Sequence, residues 1–495
     1  MQLKALLDAI ETTSVDGPTD REISSIVYDS RRVQSGALFV ALKGEKVDGA
    51  QFIAQAIEKG ADAIVSESRE LKTRATNVIV PNAREALADL ASEFYEHPSK
   101  NLKVVGVTGT NGKTTTAFLI KHICEQALLR CGLLGTVRYE IGDRILPAAR
   151  TTPESVDVQE MLWQMRAAGC KAAAMEVSSH ALTQARARGV EFDAAVFTNL
   201  TQDHLDYHQT MEAYFQAKSL LFSSLAVQRR KKKAQAIINI DDRYGAKLVM
   251  RFRNELRLTT YGVGVQSDFR ASNVRIDFQG TSYQLDAGGR SYLVRLPLIG
   301  YFNVYNSLAA LAAAHAIGVE VRTGVLALAN APAVPGRLEP IPAMRQFKVF
   351  VDYAHTDDAL LNVIKTCREL NPKRLIVVFG CGGDRDRMKR PRMGAVVDAH
   401  ADYAIVTSDN PRREDPAAII AEITPAMRAG RFEVVIDRKE AIRRAIAMAA
   451  ARDIILIAGK GHETYQEFAD HTVPFDDVAV ASQALEEKRV ELDTE

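Results

Sequence analysis

The chain has 495 residues, which at roughly 150 residues per domain corresponds to about three domains and excludes a single small binding module. Its 47% hydrophobic and 25% charged residues are those of an ordinary globular protein. The 63 basic and 62 acidic side chains leave a formal charge of +1, so bulk charge argues against nucleic acid or an anionic membrane as the main partner.

The five cysteines, Cys124, Cys131, Cys170, Cys367 and Cys381, are odd in number and include no C-x-x-C pair. Neither a disulfide framework nor a structural zinc site is expected, and the compartment reads as reducing. Residues 1–17 bring acidic side chains after one short apolar stretch, where a signal peptide needs a longer apolar core. No run approaches the roughly 18 apolar residues of a membrane span, so a soluble, cytoplasmic protein is expected.

Residues 1–98 alternate short apolar runs (25–28, 37–42, 62–65) with helical stretches such as 51–59, the pattern of a small α/β unit. Turn formers at His97, Pro98, Ser99 and Lys100 end it. A strand at 102–107 then leads into a glycine-rich loop and a long amphipathic helix. Strand-like runs at 172–177, 194–198 and 236–239 recur between helices, which predicts a largely parallel sheet covered on both faces. The basic run 229–233 reads as a solvated loop rather than a nucleic-acid patch. After an alanine-rich helix at 306–317, residues 331–336 read as a linker. Strands at 349–353, 375–379, 404–406 and 454–458, each followed by a loop rich in Gly, Asp or His, predict a doubly wound, Rossmann-like unit with its ligands at the carboxyl ends of the strands. The expected organisation is α/β throughout, in units 1–98, 99–334 and 335–495.

The segment VTGTNGKTTT (107–116) follows a predicted strand and opens a helix, the context of a phosphate-binding loop. Its glycines allow backbone N–H groups close to phosphates, the helix N-terminus favours negative charge, and Lys113 can reach the β and γ phosphates. Thr114 offers a hydroxyl to Mg²⁺. The loop departs from the standard spacing, since position 107 is Val and Gly109 stands only three before Gly112. Glu176 ends the strand at 172–177, close to where that loop lies, and a carboxylate there suits Mg²⁺. After the next strand, Asp203, His204, Asp206 and His208 cluster within a few residues, a grouping open to either structural or metal-binding roles. Lys218, on a predicted helix, reads by itself as a solvated lysine.

The strings VTGTNGKTTT, MEVSSHAL, TNLTQDHLDYH, GYFNVYN, PGRLEPI, VDYAHT, FGCGGDRDR and AGKGHE occur in this order over nearly the whole chain. Together they resemble the Mur ligases, the ATP-dependent amide-forming enzymes of peptidoglycan synthesis, and the shortened phosphate loop is that family's own form. The resemblance is to the branch that adds the third peptide residue to UDP-N-acetylmuramoyl-L-alanyl-D-glutamate. It implies an amino-terminal domain for the UDP part of the substrate, a central ATPase domain and a carboxyl-terminal domain for the incoming amino acid, in a monomeric enzyme with no nucleic-acid partner. ATP would meet Gly109, Thr110, Asn111, Gly112, Lys113, Thr114 and Thr115, with Asn303, Asn306, Arg337 and Asp352 holding the nucleotide across the domain boundary. Mg²⁺ would be held by Thr114, Glu176, His204 and Lys218, the last matching the family's carbamylated lysine, whose carbamate offers oxygens where an ammonium has no lone pair for a cation. Lys113, Glu176, His204 and Lys218 are the expected catalytic set. The UDP-substrate would meet Tyr28, Ser30, Glu45, Lys46 and Val47, then Thr151, Thr152, Ser178, Gln184 and Arg186. Arg150 and His355 stand beside these motifs without an assigned role.

Asp409, Asn410, Pro411 and Arg412 follow the strand at 404–406 and match the D-N-P-R motif of relatives that select meso-2,6-diaminopimelate; without the family context they read as an Asx-Pro turn with a surface arginine. Diaminopimelate carries one carboxylate more than lysine, for which a guanidinium is a bidentate partner. Arg385, Gly459 and Glu463 match other positions that hold this amino acid. Lysine is expected to be rejected because it would leave the Arg412 donors unpartnered in a partly desolvated pocket. The alternatives are a lysine-adding form of the same ligase, a folylpolyglutamate synthetase-like ligase, or a P-loop ATPase switch.

Overall fold

The computed structural model describes residues 1–494 apart from 45–46, 68–73, 229–230, 232 and 343–345. The strands of the middle region are apolar on both faces. Along Lys103–Thr108, Val105 and Val107 enter one core and Val104 the other; Ala172 and Ala174 divide likewise from Ala173 and Met175, and Ala194 and Val196 from Ala195 and Phe197. This is the pattern of a parallel sheet buried between two helical layers.

That sheet has eleven strands. Lys103–Thr108 lies between Ala172–Glu176 and Ala194–Phe197, parallel to both. Cys131–Leu134 extends the parallel part on one side, Gln235–Asn239 and Arg257–Gly262 on the other. Both rims continue as antiparallel meanders, through Arg138–Ile141 and Arg144–Pro147 at one end and through Phe269–Asp277, Gly280–Ala287 and Arg290–Leu296 at the other. The alternation read from sequence covers only the parallel core. Connections leave Lys103–Thr108 and its neighbours toward opposite sides, so the loops after these strands share one edge, where ligands of such sheets bind.

A five-stranded sheet precedes this one, in the order Ser14–Asp16, Thr76–Ile79, Ala61–Ser66, Ala37–Val40, Ser25–Val27, and a six-stranded sheet follows, in the order Glu339–Ile341, Lys348–Asp352, Ile454–Ala458, Leu375–Phe379, Tyr403–Val406, Phe432–Val434. Each is parallel except for its first strand and has apolar cores on both faces. The helix expected at 306–317 begins earlier, as Tyr301–Ala316, behind Gly300 at φ 118°, which places Asn303 and Asn306 one turn apart on the helix face that meets Lys113–Gln126.

Of the basic run, Arg229, Arg230 and Lys232 lie outside the described residues. Lys231 is not solvated: its ammonium donates to the Leu102 carbonyl at 2.7 Å and to Asp193 Oδ2 at 2.5 Å. All five cysteines are free and buried. Among the described residues no helix is long and apolar enough to cross a membrane.

The carboxyl-terminal unit is pinned by an ion pair between Arg438 and Asp477, both with 0% side-chain exposure. Arg438 also donates to the carbonyls of Ser408 and Ala458, at two strand ends. Removing one partner of a buried pair leaves an uncompensated charge, so Asp477→Ala is expected to cost about 3–5 kcal/mol, whereas the double change of Arg438→Met with Asp477→Leu costs far less. Urea denaturation of the three proteins measures the difference.

Candidate active site

The helix Lys113–Gln126 starts at Gly112 in the left-handed region, φ 85°, with no side-chain cap. Its first amide N–H groups therefore remain available to an anion. The loop is packed too closely for side chains: a Cβ at Gly109 would lie 1.9 Å from Thr198 Oγ1, and one at Gly112 2.4 Å from Asn306 Oδ1. Thr198 Oγ1 and Asn199 Nδ2 donate to the Asn111 carbonyl at 2.6 and 3.2 Å, and the Asn111 N–H donates to Asn199 Oδ1 at 2.9 Å. These bonds hold the loop against the neighbouring strand end.

Around the loop lies a cavity of about 460 Å³, lined by Thr110 to Thr115, Glu176, His204, Asn306, Arg337, Asp352 and His355, and also by Thr136, Thr151, Asn199, Thr201, Tyr353 and Asp358. Glu176, 1% exposed, accepts from Thr114 Oγ1 at 3.0 Å, from the Thr136 N–H at 2.8 Å and from Thr136 Oγ1 at 3.0 Å. Among the described residues no group of three or more His, Cys, Asp or Glu forms a ready-made metal cage. Beside the loop, Thr114 offers a hydroxyl, Glu176 a carboxylate and His204 an imidazole. That sparse set fits Mg²⁺, which usually keeps several waters and completes its shell with phosphate oxygens.

Lys113 donates to the carbonyls of Gly109 at 3.0 Å and Thr110 at 2.8 Å. Lys218 is 1% exposed, so the solvated reading is overturned: it donates to the same Gly109 carbonyl at 2.8 Å from behind the loop, with the Tyr214 ring 4.5 Å away. Burial lowers the pKa of both lysines, and the Lys113 charge lowers that of Lys218 further. His204, at φ 53°, packs against His180 at 4.9 Å, and its pKa is lowered to about 4 by burial and by the His180, Lys113 and Lys218 charges. His208 turns away from the cavity to Ser179 Oγ at 2.9 Å.

The carboxyl-terminal segment reaches the loop directly. Arg337 Nη2 donates to Thr114 Oγ1 at 3.0 Å, while Asn111 Nδ2 and Thr201 Oγ1 donate to Asp358 Oδ2 at 3.2 and 3.0 Å. Asp352 accepts from the N–H groups of Leu338 and Ala354. Asn303 stands behind the cavity, bonding the Ile299 carbonyl and accepting from Asn306 Nδ2 at 2.9 Å, so it positions Asn306.

Of the expected UDP-substrate residues, Tyr28 and Ser30 lie in the first unit and Thr151, Thr152, Ser178, Gln184 and Arg186 in the second. Tyr28 donates to Asp157 Oδ2 at 2.6 Å and Ser30 to Gln55 at 2.7 Å. Val47 is exposed, and Glu45 and Lys46 lie outside the described residues. Thr151 Oγ1 is 3.0 Å from Thr136 Oγ1, Thr152 holds the Glu176 carbonyl at 2.8 Å, and Ser178 caps the helix Ser179–Thr183. Arg186 donates to Gln184 at 2.6 Å and pairs with Glu154 at 3.0 Å; Arg150 and Arg84 pair with the same carboxylate at 2.6 and 3.8 Å. One carboxylate facing three guanidinium groups leaves a positive strip suited to an anion. A larger groove, of about 890 Å³, lies away from the phosphate loop and is lined by Arg188, Glu85 and Asp89, which are paired with one another.

The residues expected at the amino acid also converge. Asn410 accepts from Lys460 Nζ at 2.9 Å and donates to Glu463 Oε2 at 2.8 Å, and Lys460 donates to Glu463 at 3.0 Å. Burial opposes the charge of Asp409, and Arg438 and Lys460 overcome it and hold the carboxyl below its ordinary pKa. Gly459 packs against Asp409, and Pro411 precedes Arg412 in the same loop. Arg385 is exposed on the facing loop. Arg412 has partners of its own, Glu467 Oε2 at 2.8 Å and the Gly383 carbonyl at 2.8 Å. Arg412 is therefore already paired through Nε and Nη1, and the expected cost of lysine is confined to its remaining donors. Thr136, Asn199, Asp358 and Glu467 belong to these sites and were missed. Asn199 lies inside a quoted string, but nothing in the sequence marks the other three.

Family models match three consecutive stretches: "Mur ligase family, catalytic domain" at residues 22–95, "Mur ligase middle domain" at 107–314 and "Mur ligase, glutamate ligase domain" at 336–461. A UDP-N-acetylmuramoyl-L-alanyl-D-glutamate–2,6-diaminopimelate ligase of Syntrophomonas wolfei subsp. wolfei is 46% identical over 493 residues, covering 99% of this chain and 100% of that protein. The protein of the same name from Geobacillus thermodenitrificans is 45% identical over 492 residues, with 99% and 100% covered. A solved structure of a ligase of that name aligns with a TM-score of 0.72 at 33% identity, covering 99% of each chain. With the three models in order and such identity along almost its whole length, the chain belongs to the Mur ligase family.

Proposed function

We propose that this protein is a cytoplasmic ligase that uses ATP to join meso-2,6-diaminopimelate to the D-glutamate γ-carboxylate of UDP-N-acetylmuramoyl-L-alanyl-D-glutamate, a step of peptidoglycan synthesis. The observation that carries the reading is the link between two sites: Tyr353, which lines the cavity around the phosphate loop with Lys113, Thr114 and Glu176, donates at 3.5 Å to Glu463 of the pocket that also holds Asp409, Asn410 and Arg412. The division of labour follows units 1–98, 99–334 and 335–495, for UDP-substrate, ATP and amino acid.

A carboxylate is a poor electrophile, so the γ-carboxylate first attacks the terminal phosphorus of ATP, giving an acyl phosphate and ADP. The amine of diaminopimelate then adds to the acyl carbon, and the tetrahedral intermediate expels phosphate and loses a proton to leave the amide. Catalysis is chiefly positioning and charge neutralisation. Lys113 and the free N–H groups of Gly112 to Thr114 meet the phosphates. Arg337, already bonded to Thr114, adds charge from the carboxyl-terminal side, and Asn306 and Asp352 border the nucleotide. Thr114, Glu176, His204 and a carbamate on Lys218 would hold Mg²⁺, which when bound neutralises phosphate charge. The buried Lys218 amine suits carbamate formation, since the neutral amine adds CO₂ and releases a proton. Arg186 with Arg150 and Arg84 serves the anionic UDP-substrate.

Purified enzyme given ATP, the UDP-dipeptide and either diaminopimelate or lysine tests the reading. Diaminopimelate is expected to support ADP and amide formation, with a higher kcat/KM than lysine. Lysine preference, or ATP hydrolysis independent of the acceptor, would overturn it. Lys113→Ala should abolish amide formation with little change in melting temperature, because the lysine serves phosphates and not a core; near-normal turnover would remove the phosphate-loop role. Lys218→Ala should be nearly inactive and partly rescued by added short carboxylic acids, whereas full activity without them would refute the carbamate.

A further inference from the structure

Arg412 adopts φ 51°, a conformation unfavourable for a side chain other than glycine, so something must hold it there. The short hairpin of Tyr465–Glu467 and Thr472–Pro474 does so. The Arg412 N–H donates to the Glu467 carbonyl at 3.0 Å, and its Nε donates to Glu467 Oε2 at 2.8 Å. The same hairpin clasps the rest of the loop, with Gln466 Nε2 donating to the Asp409 carbonyl at 2.8 Å and the Glu467 N–H to Asn410 Oδ1 at 3.0 Å. On the far side Nη1 donates to the Gly383 carbonyl at 2.8 Å.

A guanidinium has five N–H donors in a rigid plane. With Nε taken by Glu467 and one Nη1 donor by Gly383, three donors remain, two on Nη2 and one on Nη1, the two nitrogens of the terminal edge. Resting on the function proposed above, we infer that Glu467 is a positioning residue for amino-acid selection: it fixes the Arg412 plane so that this edge alone meets the distal carboxylate of the substrate. Its own carboxylate, 43% exposed beside the 18% exposed arginine, also repels that incoming group. Orientation and charge thus act in opposite directions and can be separated by substitution. Glu467 lies on the surface of the hairpin, so changing it removes no core.

Steady-state kinetics of the full-length wild type, Glu467→Ala and Glu467→Gln, varying diaminopimelate, lysine and ATP in turn, test this. Glu467→Ala should raise KM for diaminopimelate about tenfold or more, the loss of one charge-assisted hydrogen bond, and lower the preference over lysine by a similar factor, leaving kcat and KM for ATP essentially unchanged. Glu467→Gln keeps an acceptor oxygen without the charge, so its KM for diaminopimelate should match or fall below that of wild type. An unchanged KM in Glu467→Ala, a Gln variant as impaired as the Ala variant, or a loss spread equally over kcat and ATP would each overturn the inference. A wild type that uses diaminopimelate while Glu467→Ala keeps its KM sinks this inference alone; a wild type that does not use it sinks the function as well.

Discussion

Glu176 ties together parts of the chain that are far apart in sequence. Its carboxylate accepts from Thr114 at the start of the phosphate-loop helix and twice from Thr136 after a neighbouring strand, while its carbonyl is held by Thr152. A buried carboxylate is tolerated only when such donors replace water, so the three segments must arrive together or not at all. Arg337 extends the network across the unit boundary by donating to the same Thr114 hydroxyl. The site is thus built around one buried charge, and the carboxyl-terminal segment is part of its solvation.

The surrounding positive groups are placed against their own preference. Lys113 and Lys218 converge on the Gly109 carbonyl from two sides, and burial lowers the pKa of each. Two amines crowded on one carbonyl, beside a helix terminus with free N–H groups, form a surface that an anion relieves. Perturbed groups concentrated in this way are enriched at functional sites. The Arg438–Asp477 pair is the contrast: both charges are matched, and the pair serves to fix strand ends.

The pocket of Asp409, Asn410, Arg412 and Glu463 is organised by charged side chains and by hydrogen bonds to backbone together. Lys460 and Glu463 order Asn410, while residues 466 and 467 lock the backbone on either side of Pro411. An arginine on a free loop would spend much of its time in orientations useless to a ligand; one held through Nε and Nη1 is preorganised.

The sequence by itself determined the α/β class, the parallel core and the phosphate loop, because these follow from short-range rules: apolar runs of strand length, helix periodicity, and glycines before a lysine and threonines. The strands expected at 375–379 and 454–458 match Leu375–Phe379 and Ile454–Ala458 in full. The two antiparallel meanders escaped notice because their strands lack continuous apolar runs, as in Phe269–Asp277 with its alternating burial. Tertiary structure alone decided which side chains meet. Lys218 reads as a surface lysine until the packing of its helix buries it, and Lys231 does the same against Asp193. Thr136, Asp358 and Glu467 carry no local signature. Each becomes part of a site only because the fold brings segments distant in sequence together, and the hydrogen bonds that assign their roles act across distances that no sequence window spans.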